Sequence, residues 1–305
     1  MWNFSKVMQN LNTMEKRVAF AEENDLVLRS RVCRTQMKLQ ARGNDSLGTF
    51  RCSKGQCKRK SGVSRATGTW FEQCKISLPH IFYYMYAYAH RWSHENIRFE
   101  NYLKGSCLST ATICDCYNYF REAVSLYQID RQESVGRIGG PGKVVQIDES
   151  KFGKRKYNKE RRVEGHWVLG IIEDSSEDLR LEVCPDNIRS ADVLIPLIRK
   201  HIKEGFIIHM DFWRAYDCLA NYGYEHKKVN HSDPDNPFVV EDGTHTQRIE
   251  SQWRVVKRYF NKENYNHPVC FTDVIVEYLW RKSVNKNHED PFVKLIEAIK
   301  YSYKP

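Results

Sequence analysis

The chain has 305 residues, 41% of them apolar and 12% aromatic, enough to bury a sizeable core and one or two small modules. No run nears the roughly 18–20 continuous apolar residues of a membrane span, residues 1–6 lack a secretion signal's apolar stretch, and ten irregularly spaced cysteines fit reduced thiols or metal ligation better than a disulfide framework. Neither an integral membrane protein nor a secreted disulfide scaffold is expected; an intracellular protein is, nuclear if its source is eukaryotic.

The net charge is +10, and its placement is informative. Residues 1–28 read as a short amphipathic helical lead without further assignment. Residues 29–75 then hold twelve Lys or Arg against Asp45 and Glu72, so this segment carries the whole excess. A polyanion is its natural partner, with Lys58, Arg59 and Lys60 as consecutive candidate DNA contacts. Glycines punctuate the module and long apolar runs are few, so it needs help to stay folded. Cys33, Cys52 and Cys57 are candidate zinc ligands, with Cys52-x4-Cys57 as one knuckle. Gln36 stands where a second cysteine of the first knuckle is expected, which leaves the set one ligand short. Either Cys74, His80 or a water completes it, or these cysteines are small core residues.

Residues 76–136 turn helical. Ile81, Tyr84, Met85 and Tyr88 recur at helical spacing, Ser93 suits an N-cap, and a third helix runs through Ile113, Tyr117, Phe120 and Val124. Three helices with a tight turn before the last suit a helix-turn-helix; a small trihelical bundle gives the same pattern. Residues 137–143, rich in Gly and Pro, link to a domain taken as 137–285. There the order is strand (144–148), a basic hairpin, strands (166–172 and 179–183), and a helix that Ser190 caps. A strand (206–210), a short helix (216–222), a strand (224–229) and a last helix with Ile249, Trp253, Val256 and Phe260 on one face follow. The expected fold is α/β, a ribonuclease-H-like mixed sheet flanked by helices, preceded by the zinc-ribbon-like module and the helical region. Residues 286–305 form a C-terminal tail that gives no functional clue.

Three acids carry the chemistry. Asp148 lies at the exit of the β-branched run Val144-Val145-Gln146-Ile147, Asp211 ends Phe206-Ile207-Ile208-His209-Met210, and Glu250 borders the apolar stripe of the last helix. A lone acid reads as a solvated surface charge; two at strand exits and one beside a buried helix face do not. In such a fold they would gather two magnesium or manganese ions about 3.5–4 Å apart for in-line displacement at phosphorus. Asp148 would bridge both ions, with Asp211 on one and Glu250 on the other. Hard cations need oxygen ligands, and without them three converging carboxylates would raise one another's pKa.

The residues from 138 to about 260 resemble the Merlin-type cut-and-paste DNA transposases, DDE enzymes related to bacterial insertion-sequence transposases. The resemblance rests on Ile138-Gly139-Gly140-Pro141-Gly142-Lys143, Ile147-Asp148-Glu149-Ser150-Lys151-Phe152-Gly153-Lys154-Arg155-Lys156, Gly165-His166-Trp167-Val168-Leu169-Gly170, Asp211-Phe212-Trp213-Arg214-Ala215-Tyr216, Val229-Asn230-His231-Ser232 and Gly243-Thr244-His245-Thr246-Gln247-Arg248-Ile249-Glu250-Ser251-Gln252-Trp253. It extends upstream to about residue 33. It implies a ribonuclease-H-like catalytic core, an N-terminal zinc-ribbon-like region that recognises terminal inverted repeats in double-stranded DNA, and a homo-oligomer acting on paired ends. Gln36, Glu160 and His209-Met210 depart from the family's pattern; none removes a triad acid.

Lys151, Lys154, Arg155 and Lys156 follow the first acid and are candidate phosphate contacts, the alternative being a solvated hairpin. Trp213, His231 and His245 each have a packing or hydrogen-bonding alternative to a functional role and stay outside the catalytic set. Beside an active transposase stand a transposase-derived DNA-binding protein without catalysis and a nuclease that never joins ends.

Overall fold

A computed structural model describes residues 1–33, 35–40, 47–54, 62–101, 103, 108–153, 165–176, 178–235, 238–263 and 271–303, without the side chains of 261–263. The chain divides into two units, one of residues 1–128 with 280–305 and the other of residues 129–279.

In the first unit, α1 (Phe4–Asn10) and α2 (Met14–Glu23) precede a three-stranded antiparallel sheet of β1 (Lys38–Gln40), β2 (Thr49–Arg51) and β3 (Val63–Ser64). Helices α3 (Leu78–Ala89), α4 (His94–Phe99) and α5 (Thr110–Val135) follow, and α9 (Pro291–Ser302) returns from the far end of the sequence. Helix α3 is apolar around its whole circumference, the signature of a central helix, and ten of its residues are buried. Val7, Leu11 and Ala21 from the lead, Phe120 and Val124 from α5, and Phe292, Leu295 and Ile299 from α9 join the same core. Ser93 caps α4 as its sequence predicts, accepting from the Asn96 amide at 3.1 Å. The last carbonyls of α3 are closed by Arg281, whose guanidinium donates to Tyr88 and Ala89 at 2.9 Å each.

The second unit is built on a five-stranded sheet in the order β6-β5-β4-β7-β8. Its strands are β4 (Val144–Phe152), β5 (His166–Glu173), β6 (Leu179–Val183), β7 (Ile207–Asp211) and β8 (Glu225–Val229). The first three form an antiparallel meander; β7 and β8 then add parallel to β4 on its other side. With α6 (Ala191–His201) leading into β7, and α7 (Gln247–Glu263) and then α8 (Phe271–Lys286) after β8, this is the ribonuclease-H-like mixed sheet the pattern predicts. Two details differ. Residues 214–222 wind as a 3-10 helix, and Ser190 holds the N-cap backbone position of α6 without a capping hydrogen bond from its side chain.

Strand alternation sends successive residues to opposite faces, and the two faces differ. Val145, Ile147, Ile208 and Met210 point toward α6, packing with Leu194, Ile195 and Ile198. On the other face Val168, Ile172 and Phe152 meet Ile249, Trp253, Val256 and Phe260 of α7. The even-numbered residues Gln146 and Asp148 of β4 and the odd-numbered His209 and Asp211 of β7 belong to this α7 face. Helix α7 comes unusually close because residue 170 is glycine. A Cβ there would lie 2.6 Å from Trp253 Cζ2 and 2.8 Å from Ile249 Cδ1.

Candidate active site

Sheet register sets the first two acids side by side. Val144 pairs with Ile207 and Gln146 with His209 in parallel; Asp148 and Asp211 follow two residues further along the same face, where the charge of one acts on the other. Strand β8 pairs Val229 with Asp211, and the chain leaving Val229 brings His231 over the strand ends. Helix α7 then delivers Glu250 in its first turn.

Asp211, His231 and Glu250 form the tightest group, with one potential ligand atom of each within 4.8 Å of the others. His231 Nε2 lies 3.0 Å from Asp211 Oδ1 and 3.4 Å from Glu250 Oε1. The Thr246 hydroxyl donates to Glu250 Oε1 at 2.6 Å. The side chains of Asp211, His231 and Glu250 are 36%, 35% and 38% exposed, so this side of the site is open to a ligand.

Asp148 sits deeper and outside that tight group. Its carboxylate accepts from Trp253 Nε1 and from the Glu149 amide, each at 2.7 Å. Burial, then the charge of Asp211 and to a smaller degree that of Glu250, push its pKa up to about 6 against the two donors. The electrostatic coupling ties Asp148 to the other two acids, and a cation would relieve it. Two carboxylates and an imidazole within reach of one another, with the Asp148 carboxylate coupled to both acids through their charge, offer oxygen donors of the kind hard divalent cations take.

On the opposite face, the Glu149 carboxylate meets the Arg189 guanidinium at 2.8 Å. Burial pushes Glu149 up to about 7 while Arg189 pulls it down. That guanidinium stacks 4.1 Å from the Trp213 ring centroid and 4.9 Å from that of Trp167. Trp213 therefore packs beneath an ion pair behind the acid-bearing strands, edge-on to Tyr216 at 5.4 Å.

The remaining predicted residues divide by visibility. Lys151 is half-buried with its Nζ 5.5 Å from the Trp167 ring. Lys154, Arg155, Lys156, Lys58, Arg59, Lys60 and Cys57 lie outside the described residues. Cys33 and Cys52 are brought together, Sγ to Sγ 3.4 Å, near the roughly 3.8 Å that two thiolates on a tetrahedral zinc adopt when each bond is about 2.3 Å. Arg65, one of the module's twelve cations, faces inward: it is fully buried, bonded at 2.6 Å to both Glu22 Oε1 and the Leu28 carbonyl.

His231 is the residue that sequence reasoning kept outside the set. The signal was available in the topology: a strand parallel to β7 must end beside Asp211, and functional groups collect beyond the carboxyl ends of parallel strands.

A mixed sheet in this order, with acids at adjacent strand exits and on the helix behind them, defines a ribonuclease-H-like domain. Residues 136–268 match the ISXO2-like transposase domain, and this match supports an insertion-sequence DDE transposase family for that part of the chain. Among solved structures, the catalytic core domain of BIV integrase is similar at 15% identity and TM-score 0.30, over 53% of this chain and 98% of that one. A chain of the simian T-cell lymphotropic virus intasome in complex with PP2A regulatory subunit B56 gamma is similar at 14% identity and TM-score 0.29, over 57% of this chain and 58% of that one. No curated protein matches. Among the described residues no helix is long and apolar enough to cross a membrane.

Proposed function

We propose that the protein is a DNA transposase that cuts and rejoins phosphodiester bonds at transposon ends, with Asp148, Asp211 and Glu250 as its acid triad. What supports this reading is the parallel pairing of Gln146 with His209, two residues before Asp148 and Asp211 on the same face, together with His231 lying against both Asp211 and Glu250. Two magnesium or manganese ions, when bound, would supply activation of the attacking oxygen and stabilisation of the leaving one. Hard cations prefer the carboxylates, leaving His231 to hold Asp211 and Glu250 in mutual orientation. Lys151, Lys154, Arg155 and Lys156, following Asp148 in sequence, would grip the phosphates of the DNA. The basic module, with Lys58, Arg59 and Lys60, would hold the terminal inverted repeats, the protein acting as an oligomer on paired ends. Cys33 and Cys52, with Cys57, would bind a zinc that steadies this module.

The test is cleavage and strand transfer on labelled inverted-repeat DNA with magnesium or manganese. Asp148→Ala, Asp211→Ala and Glu250→Ala should each abolish both steps and leave DNA binding intact. Salt-sensitive binding without cleavage under any metal would instead identify a DNA-binding derivative, and hydrolysis without end joining a nuclease.

A further inference from the structure

Helix α7 begins in an unusual way. Thr246 occupies its N-cap position, where a threonine hydroxyl ordinarily accepts from the second or third amide of the helix. Here that hydroxyl donates to Glu250 Oε1 at 2.6 Å instead. The two amides are taken by a side chain 102 and 103 positions away: Gln146 Oε1 accepts from Arg248 N at 3.0 Å and from Ile249 N at 3.3 Å. Gln146 and Thr246 are both fully buried.

The other end of the same amide is also engaged. Gln146 Nε2 lies 3.4 Å from Asp174 Oδ1 and 3.2 Å from His245 Nδ1, and Asp174 holds the Arg248 side chain at 3.0 Å. Two amide donors on one side require the oxygen there, so the network itself fixes which way the glutamine faces. The strand partner of Gln146 is His209, which takes the His245 amide on Nδ1 at 3.3 Å. A polar pair thus lies two residues below the acids Asp148 and Asp211 and grips the residues that start α7.

We propose that Gln146 is a positioning residue: by capping α7 from the strand that carries Asp148, it fixes Glu250 against the other two acids and frees the Thr246 hydroxyl to orient the Glu250 carboxylate. Local helix propensity places Glu250 in a first turn but does not say where that turn sits over the sheet. Apolar contacts through Ile249 and Val256 are non-directional, and the indole bond from Trp253 to Asp148 holds the helix beyond its first turn. Two hydrogen bonds from the first turn to a side chain rooted in β4 fix the start itself, because their strength falls steeply with distance and angle. The inference rests on the transposase reading, since it gives the geometry a purpose.

The test compares the full-length protein with Gln146→Met, of similar size but without the acceptor, Gln146→Glu, which keeps the acceptor, and Thr246→Val. Gln146→Met should speed hydrogen exchange at the Arg248 and Ile249 amides at least about tenfold. It should also weaken manganese binding and lower kcat on labelled DNA ends by about 10–100-fold, the usual effect of removing a partner of a metal ligand, with KM for DNA unchanged. Gln146→Glu should restore the slow exchange and most of kcat. Thr246→Val should keep the slow exchange yet lose manganese affinity and kcat, which separates the cap from the carboxylate it serves.

Unchanged exchange in Gln146→Met overturns the proposal. So does faster exchange with unaltered manganese affinity and kcat, or a Gln146→Glu protein as impaired as Gln146→Met. Should Gln146→Met fail to fold, the Gln146→Glu and Thr246→Val proteins still decide the matter by the same readouts. A wild-type protein that binds no manganese and cuts no DNA overturns the transposase reading, and the exchange rates then judge the helix cap separately.

Discussion

The two faces of the five-stranded sheet are cut from the same strands, one residue out of phase, yet they are held by different forces. Toward α6 the contacts of Val145, Ile147, Ile208 and Met210 are apolar. Toward α7 the strands present Gln146, Asp148, His209 and Asp211, met by directional bonds from the Arg248, Ile249 and His245 amides, Trp253 Nε1 and His231 Nε2. Burial of apolar area rewards contact without specifying orientation, whereas a hydrogen bond specifies both distance and angle. Both faces bury apolar side chains, and the α7 face adds to its own cluster a set of directional bonds that place charged groups where they repel.

Substitutions on the two faces should separate these roles. Ile147→Ala, at a fully buried position on the α6 face, should cost about 2–5 kcal/mol by leaving a cavity. Manganese affinity of the protein that remains folded should stay at the wild-type value. Gly170→Ala adds one methyl between β5 and α7, and overpacking of this kind costs about 1–3 kcal/mol. Because that methyl would meet Trp253 and Ile249, α7 must lift, and manganese affinity should fall although less stability is lost. Thermal unfolding and manganese titration of both proteins check the pair. Equal loss of affinity in the two would erase the distinction between the faces.

Much of this was legible in the sequence, and for a physical reason. β-branched runs ending in Asp148 and Asp211, and the stripe of Ile249, Trp253, Val256 and Phe260, are local patterns, and the order of elements restricts how they assemble. The cap on α7 was not legible, because Gln146 and Arg248 become neighbours only after β4 and α7 are placed. His231 was visible as a motif residue, but its partnership with Asp211 and Glu250 depends on where β8 ends. Trp253 reads as a buried ring, and nothing local announces that its indole N–H serves Asp148. In the other unit, Ser93 was readable as a cap because a cap is local, while the burial of Arg65 against Glu22 crosses 43 positions and was counted in sequence as surface charge. The tail shows the same limit: α9 carries Phe292, Leu295 and Ile299 into the core around α3, a destination no short-range pattern names.

The acid face also sets a pH dependence. Asp148, pushed up to about 6 from an ordinary value of about 3.9, keeps its proton in the fold where the unfolded chain has released it. Between about pH 4 and pH 6 the folded state therefore binds more protons, and the metal-free protein loses stability as pH rises through that window. Asp148→Asn removes this slope, so its metal-free melting temperature should overtake that of the wild type above about pH 6 by a few degrees. A melting curve for Asp148→Asn that tracks the wild type from pH 4 to pH 8 would show that Asp148 carries no such strain.

The finest test of the α7 face removes a single proton donor. Trp253→Phe retains an aromatic ring against Gly170 but deletes the N–H that holds Asp148 Oδ2 at 2.7 Å. A hydrogen bond to a charged group is worth about 1.5–3 kcal/mol, and its loss falls on the ionised form, since that donor lowers the Asp148 pKa. The expected change in stability is thus small at pH 4, where the carboxyl is protonated, and larger at pH 7. Manganese binding requires the ionised carboxylate, so its onset on raising the pH should move upward from about 6 in Trp253→Phe. Fluorescence-monitored unfolding at the two pH values and manganese titrations across pH 5–8 measure both effects. A Trp253→Phe protein destabilised equally at pH 4 and pH 7, with an unshifted onset, would reduce Trp253 to a packing residue and leave Asp148 held by the Glu149 amide.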